Sequence, residues 1–297
     1  MGGRAYIGTS GWSYPHWRGV FYPKKLRGEA WLNHYASFFG TVELNNTFYQ
    51  LPEAATFRHW YREAPRSFVF AVKGSRFITH MKKLQAPRRA LNRFLRRVAI
   101  LKEKLGPVLF QLPPGFKVNP ERLADFADLL PAGHRYAFEF RDPTWFVPEV
   151  YAILKKRGLG FCIFSLQELP CPEMITARHV YVRFHGPGAK YAGRYSEAEL
   201  RMSARRIRGW LSEGLDVYSY FNNDERGYAV ANAIRLRELV GGGQARAPTC
   251  SGVMVNCSRN PPYELLFSPA LIVSSRETQP TLASFQHIYT PYYKAPC

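Results

Sequence analysis

Two glutamates, Glu43 and Glu139, a lysine, Lys73, two arginines, Arg141 and Arg183, and a histidine, His185, lie in or at the end of short runs rich in Val, Phe, Tyr and Ile. Carboxylates and imidazoles move protons or ligate a metal, and an amine kept among apolar neighbours loses its proton and becomes a nucleophile. Guanidinium groups neutralise an anion. In an extended chain, residues two apart share a face. Val42 and Leu44 then take one face and Glu43 and Asn45 the other; Phe138 and Phe140 oppose Glu139 and Arg141; Val180, Val182 and Phe184 oppose Tyr181, Arg183 and His185. By the same parity Lys73 ends one run, Gln111 another and Ser10 a third, while the run before Asn222, Asn223 and Asp224 is ambiguous.

The runs that must position these groups number eight: 6–10, 42–45, 68–73, 108–111, 136–141, 161–165, 180–185 and 216–222. Their starts are about 30 residues apart on average, the length of a strand, a helix and two loops. Helical periodicity fills the gaps at 29–39, 54–63, 88–105, 121–130, 149–157, 197–212 and 224–240; the sixth gap is short, and the helix expected there is the least marked. Eight such units predict a single-domain (β/α)8 TIM barrel over 5–240, whose inward polar residues gather at the C-terminal mouth. From Gly241 to Cys297 helical periodicity ends, and Gly, Pro and Ser clusters predict an irregular or partly disordered tail.

The loops after the strands carry aromatics. Trp12, Phe48, Tyr49, Trp145 and Tyr191 are candidate stacking walls for a base or a sugar ring. His80 follows the third strand and joins the candidate substrate contacts, with Ser10, Asn45, Gln111, Arg141, Arg183, Asn222 and Asn223. Glu43, Lys73, Glu139 and His185 are the candidate catalytic groups.

In chain order, Tyr-Ile-Gly-Thr-Ser-Gly-Trp (6–12), Val-Glu-Leu-Asn-Asn-Thr-Phe-Tyr (42–49), the Lys73–His80 segment, Phe-Gln-Leu-Pro-Pro-Gly-Phe (110–116), Glu-Phe-Arg-Asp-Pro-Thr-Trp-Phe (139–146), Tyr-Val-Arg-Phe-His-Gly (181–186) and Tyr-Phe-Asn-Asn-Asp (220–224) resemble the YecE-like family, domain of unknown function 72. The resemblance covers about residues 5–240 and implies a TIM barrel with a characteristic mouth; it implies no particular reaction.

The chain of 297 residues is 46% hydrophobic, enough for a sizeable core, and carries a net charge of +19. About half of that excess lies in 76–104, where ten Lys and Arg face one acidic residue, Glu103. Leu91, Phe94, Leu95 and Val98 recur at helical spacing there, so Arg89, Arg93, Arg96 and Arg97 are expected on a solvated face that could also serve as a footprint for phosphates. Five cysteines without a Cys-x-x-Cys pair argue against a disulfide scaffold or a structural zinc site. No apolar stretch is long enough to span a membrane and no signal peptide begins the chain, so a cytoplasmic location is expected.

These features favour an enzyme hydrolysing a phosphate ester or nucleic-acid phosphodiester. A divalent metal is a candidate cofactor, held by Glu43, Glu139, His80 or His185, and an anionic small molecule or nucleic acid is the candidate partner. The alternatives are a Schiff-base lyase or aldolase through Lys73, a glycoside hydrolase through Glu43 and Glu139, and a non-catalytic nucleic-acid-binding module on the 88–104 helix. Two observations would decide among them. A Lys73 paired with a carboxylate, the expected state, would be inert, and one arginine touching both glutamates would make them an ion pair rather than an acid/base couple.

Overall fold

The computed structural model describes residues 2–85, 88–166, 169–188 and 191–241. Eight parallel strands, β1 (Ala5–Thr9), β2 (Thr41–Leu44), β3 (Val69–Lys73), β4 (Leu105–Gln111), β5 (Tyr136–Glu139), β6 (Gly160–Ser165), β7 (His179–Phe184) and β8 (Asp216–Phe221), follow one another around a barrel in which β8 returns to β1. Closure between β1 and β2 is made at the mouth, where the Gly11 N–H donates to the Glu43 carbonyl at 2.8 Å and Ser10 bridges to Glu43. Gly8 permits this approach: a Cβ there would lie 2.4 Å from the Thr41 carbonyl oxygen.

Helices α1 (Trp31–Phe38), α2 (Asn46–Tyr49), α3 (Ala54–Glu63), α4 (Arg88–Val98), α5 (Pro120–Asp128), α6 (Pro148–Arg157), α7 (Glu197–Ser212) and α8 (Tyr228–Val240) pack outside. Their ends are written in the sequence. Asn119 accepts the Arg122 N–H at the start of α5, Ser196 and Glu199 form a capping box on α7, and Gly158 takes the left-handed conformation after α6. No helix among the described residues is long and apolar enough to cross a membrane.

Two expectations change. The helix expected over 88–105 ends at Val98 and passes into a 3-10 turn, with Lys102 at φ 49°, because Lys104 turns inward and donates to the carbonyls of Tyr61 and Ala64 at the end of α3. Between β6 and β7 the described residues 169–178 hold no helix. There the Thr176 hydroxyl accepts the Phe161 N–H at 2.7 Å and donates to the Leu159 carbonyl at 2.6 Å, so side-chain bonds tie the connection to β6.

The shell between strands and helices is one large apolar core, and the barrel lumen is a separate, smaller one built from Ala71, Leu109, Ala137, Cys162, Tyr181, Tyr218 and Tyr220. Ala71, Ala137, Tyr181 and Tyr220 stand two residues before Lys73, Glu139, Arg183 and Asn222, so the apolar lumen is the floor on which the polar mouth is built. This also resolves the parity of β8, which turns Tyr218, Tyr220 and Asn222 inward. The 242–297 part of the expected tail, with Cys250, Cys257 and Cys297, lies outside the described residues.

Candidate functional site

One arginine organises the mouth. Arg183, 1% exposed, donates through Nη2 to Glu43 Oε1 at 2.8 Å and through Nη1 to Glu139 Oε2 at 2.9 Å. Glu43 also accepts from the Ser10 hydroxyl at 2.5 Å and the Tyr181 hydroxyl at 2.7 Å, and Glu139 from the Arg141 Nε. Burial by itself would push both carboxyls up. For Glu43 the Arg183 charge, with the Ser10 and Tyr181 hydroxyls, outweighs it, and for Glu139 the Arg141 and Arg183 charges do so more strongly, holding it well below the usual carboxylate range. Both are ionised, with each carboxylate oxygen accepting at least one hydrogen bond.

His185 is fully buried at the rim of this network. Burial and the Arg183 charge lower its pKa to about 4, so it is neutral. Arg141 Nη2 lies 2.7 Å from its Nε2 and can only donate, which leaves the lone pair on Nε2 and the proton on Nδ1. Asn222 Nδ2 stands 3.3 Å from the protonated Nδ1, so the two are neighbours at the rim without a hydrogen bond between them. Tyr191 packs its ring against His185 at 5.4 Å between centroids, and its backbone N–H donates to the His185 carbonyl at 2.6 Å. Gln111 stands beside Glu139 in register.

Lys73 departs from expectation. Among the described residues it makes no ion pair; its Nζ lies 4.1 Å from the centroid of the Phe48 ring. Burial and the Arg183 charge lower its pKa to about 7 against the opposing pull of Glu139 and Glu43. The carboxylates that would have paired with it are taken by Arg183 and Arg141. His80 also meets Phe48, nearly perpendicular at 4.9 Å between centroids, and is carried by a π-helical turn at Phe77–Met81. Burial and the Lys73 charge lower its pKa to about 4. The Thr79 hydroxyl donates to the Ser75 carbonyl at 3.2 Å and therefore accepts from His80 Nδ1 at 2.9 Å, leaving the lone pair of His80 on Nε2.

Two candidates are structural. Trp145 is fully buried, stacked on Phe140 at 4.8 Å with its indole N–H on the Phe116 carbonyl, so it can form no wall for a ligand. Asn223 is fully buried and donates to the Gly193 carbonyl and to Asn232, pinning the loop after β7 to α8. Trp12, Asn45 and Tyr49 leave the polar mouth and line a neighbouring cleft. The basic segment also divides: Arg89, Arg93 and Arg96 are exposed, whereas Arg97 donates to the Pro52 carbonyl and to Glu53.

Sequence reasoning left out Cys162, whose Sγ lies 3.6 Å from Glu139 Oε2, and Phe164, whose ring lies 5.0 Å from the Arg141 guanidinium. The same parity that selected Glu139 would have placed both inward. A metal finds no ready ligand set: among the described residues no three His, Cys, Asp or Glu side chains gather to hold one, and Arg183 spans both glutamates. That contact also answers the glycosidase question, since the two carboxylates form an ion-pair cluster.

The sequence model of the family described as protein of unknown function DUF72 matches residues 6–252. The chain belongs to the DUF72 family. Its match runs about a dozen residues beyond the span expected from the motifs. The chain is 27% identical over 271 residues to the UPF0759 protein YunF of Bacillus subtilis (strain 168), covering 79% of this chain and 94% of that protein. A DUF72 family protein from Thermotoga maritima MSB8 superposes with a TM-score of 0.73 at 31% identity, over 80% of this chain and 99% of that one. Another from Enterococcus faecalis V583 gives a TM-score of 0.71 at 20% identity, over 80% and 95%, a likeness of fold.

Proposed function

We propose that this DUF72 protein is an enzyme in which the Lys73 amine adds to the carbonyl carbon of a small anionic aldehyde or ketone held in the barrel mouth. The observation that carries this is the Lys73 ammonium site without a carboxylate partner, in a mouth whose other cations are engaged. An amine with a pKa of about 7 is about half unprotonated at neutral pH, and that fraction is a nucleophile. Its nitrogen bonds to the carbonyl carbon, the oxygen leaves as water after taking two protons, and an imine remains. His80 Nε2, with its free lone pair, relays those protons, and Arg141 holds the anionic group through Nη1, the nitrogen its bonds to Glu139 and His185 leave over. The Glu43–Arg183–Glu139 cluster is the rigid frame that keeps Lys73 from acquiring a counter-ion.

The test is borohydride reduction in the presence of pyruvate, glyceraldehyde 3-phosphate and related compounds, read by intact mass and peptide mapping. A reduced adduct on Lys73, absent in Lys73→Met, is expected. No adduct, or adducts spread evenly over surface lysines, overturns the reading.

Hydrolysis of a phosphate ester is the second reading. Lys73 and Arg141 would then hold the phosphoryl group and His80 would activate water. Turnover of p-nitrophenyl phosphate that Lys73→Met abolishes, without a trapped imine, favours it. The α4 face is the part of the molecule suited to steering an anionic partner, because Arg89 and Arg93 line a groove of about 580 Å³ with Ser75 and Phe77.

A further inference from the structure

Beside the mouth, between the loop after β1 and α3, lies a second concavity of about 460 Å³ that the reaction above does not use. Trp12 and Trp60 meet edge to face at 5.5 Å within it, and Tyr49, next along the chain from Phe48, is 78% exposed at its rim. Trp60 is nearly buried and backs the half-buried Trp12, so Trp12 and the exposed Tyr49 ring are the aromatic surfaces the cleft can offer for stacking. The walls are preformed. The Tyr14 hydroxyl donates to the Ser10 carbonyl at 2.6 Å, and the Tyr22 hydroxyl to the Trp12 carbonyl at 2.5 Å.

Asn45 gives this cleft its specificity. Its Oδ1 is shielded from solvent with no hydrogen-bond partner, and its amide makes no hydrogen bond to any described residue. An amide whose shielded oxygen has no partner, next to a cavity, is costly unless something completes it. An amide offers one donor and one acceptor side by side, and the flat ring that matches both presents an amino group beside a ring nitrogen, as the adenine edge does. Among the described residues no lysine or arginine lines the cleft; Glu29 and His59 are its ionisable groups, so it suits a hydroxyl-bearing ribose better than a phosphate.

We propose that this cleft is a binding site for an adenine nucleoside, the base stacked against Tyr49 and Trp12 and its amino and ring-nitrogen edge read by Asn45. It is separate from the Lys73 chemistry and independent of it.

Isothermal titration of the whole chain with adenosine, inosine and adenosine 5′-monophosphate tests the proposal. Adenosine binds saturably. Inosine, which replaces the amino donor by a carbonyl, binds about tenfold more weakly, and the monophosphate binds no more tightly than adenosine. Asn45→Asp, which keeps the acceptor and loses the donor, weakens adenosine about tenfold. Tyr49→Ala weakens both nucleosides by a similar factor, and because Tyr49 is exposed that variant folds as the parent does. No saturable binding up to about 1 mM adenosine, equal affinity for inosine, or affinity unchanged in both variants overturns it.

Discussion

The mouth and α4 use the same residue type in opposite ways. In the mouth, Arg183 and Arg141 are buried and, among the described residues, every hydrogen bond they make is to a buried carboxylate or imidazole. On α4, Arg89 and Arg93 are exposed and make no hydrogen bond or ion pair among the described residues. The α4 pattern is not general for the surface, since Arg201 and Arg235 share Glu197, and Arg206 meets Glu173. Buried arginines here fix shape, and unpaired exposed ones provide a field. Lys73 belongs to neither class, being a half-buried amine with no anion paired to it among the described residues, and that is why it carries the chemical proposal.

The largest expected effect comes from breaking the mouth. Arg183→Met leaves two buried carboxylates unpaired and is expected to cost about 3–5 kcal/mol, read as a lowered urea midpoint with unchanged slope. Adding Glu43→Gln and Glu139→Gln to it should recover part of that loss. A small effect of Arg183→Met alone would show that the cluster is not the frame of the site.

Acid tests the same cluster without mutation. Glu43 and Glu139 have depressed folded-state pKa values, so the stability they contribute is fully present above the ordinary carboxylate range and is lost as pH falls below it. Denaturation followed from pH 7 downward should steepen below about pH 4.5. The steepening should be absent when both glutamates are glutamine.

Lys73 carries the opposite sign. Its folded-state pKa, about 7, lies below the unfolded value, so between the two the unfolded chain holds more protons and stability rises with pH. Lys73→Met should therefore abolish turnover while raising Tm at pH 6, by about 2–4 °C for each kcal/mol of relieved penalty.

The smallest effect on stability, and the sharpest on long-range attraction, belongs to α4. Arg89→Ala with Arg93→Ala should change stability by less than about 0.5 kcal/mol, yet reduce the salt dependence of binding to single-stranded oligonucleotides by about 1.4 in log–log slope. The equal charge change Arg201→Ala with Arg206→Ala, on paired arginines, should leave that slope nearly intact.

The alternation of Val42, Glu43, Leu44 and of Phe138, Glu139, Phe140 made the barrel and its inward polar set readable, because period two and a one-sided core leave only one register. Partner choice was not readable. Whether Arg183 or Lys73 reaches Glu43 depends on heights within the barrel that neighbouring strands set jointly. Trp145 shows the same limit: a loop tryptophan is core or platform according to whether Phe116 and Phe140 close over it. Tyr218 and Tyr220 were ambiguous because both faces of β8 are aromatic or small.

The central claim is that Lys73 has no counter-ion in the mouth, and NMR titration of its ε-carbon in selectively labelled protein, assigned with Lys73→Met, tests it most directly. An inflection near pH 7 is the result expected; one near pH 10.5, the value of a solvated lysine, would contradict it.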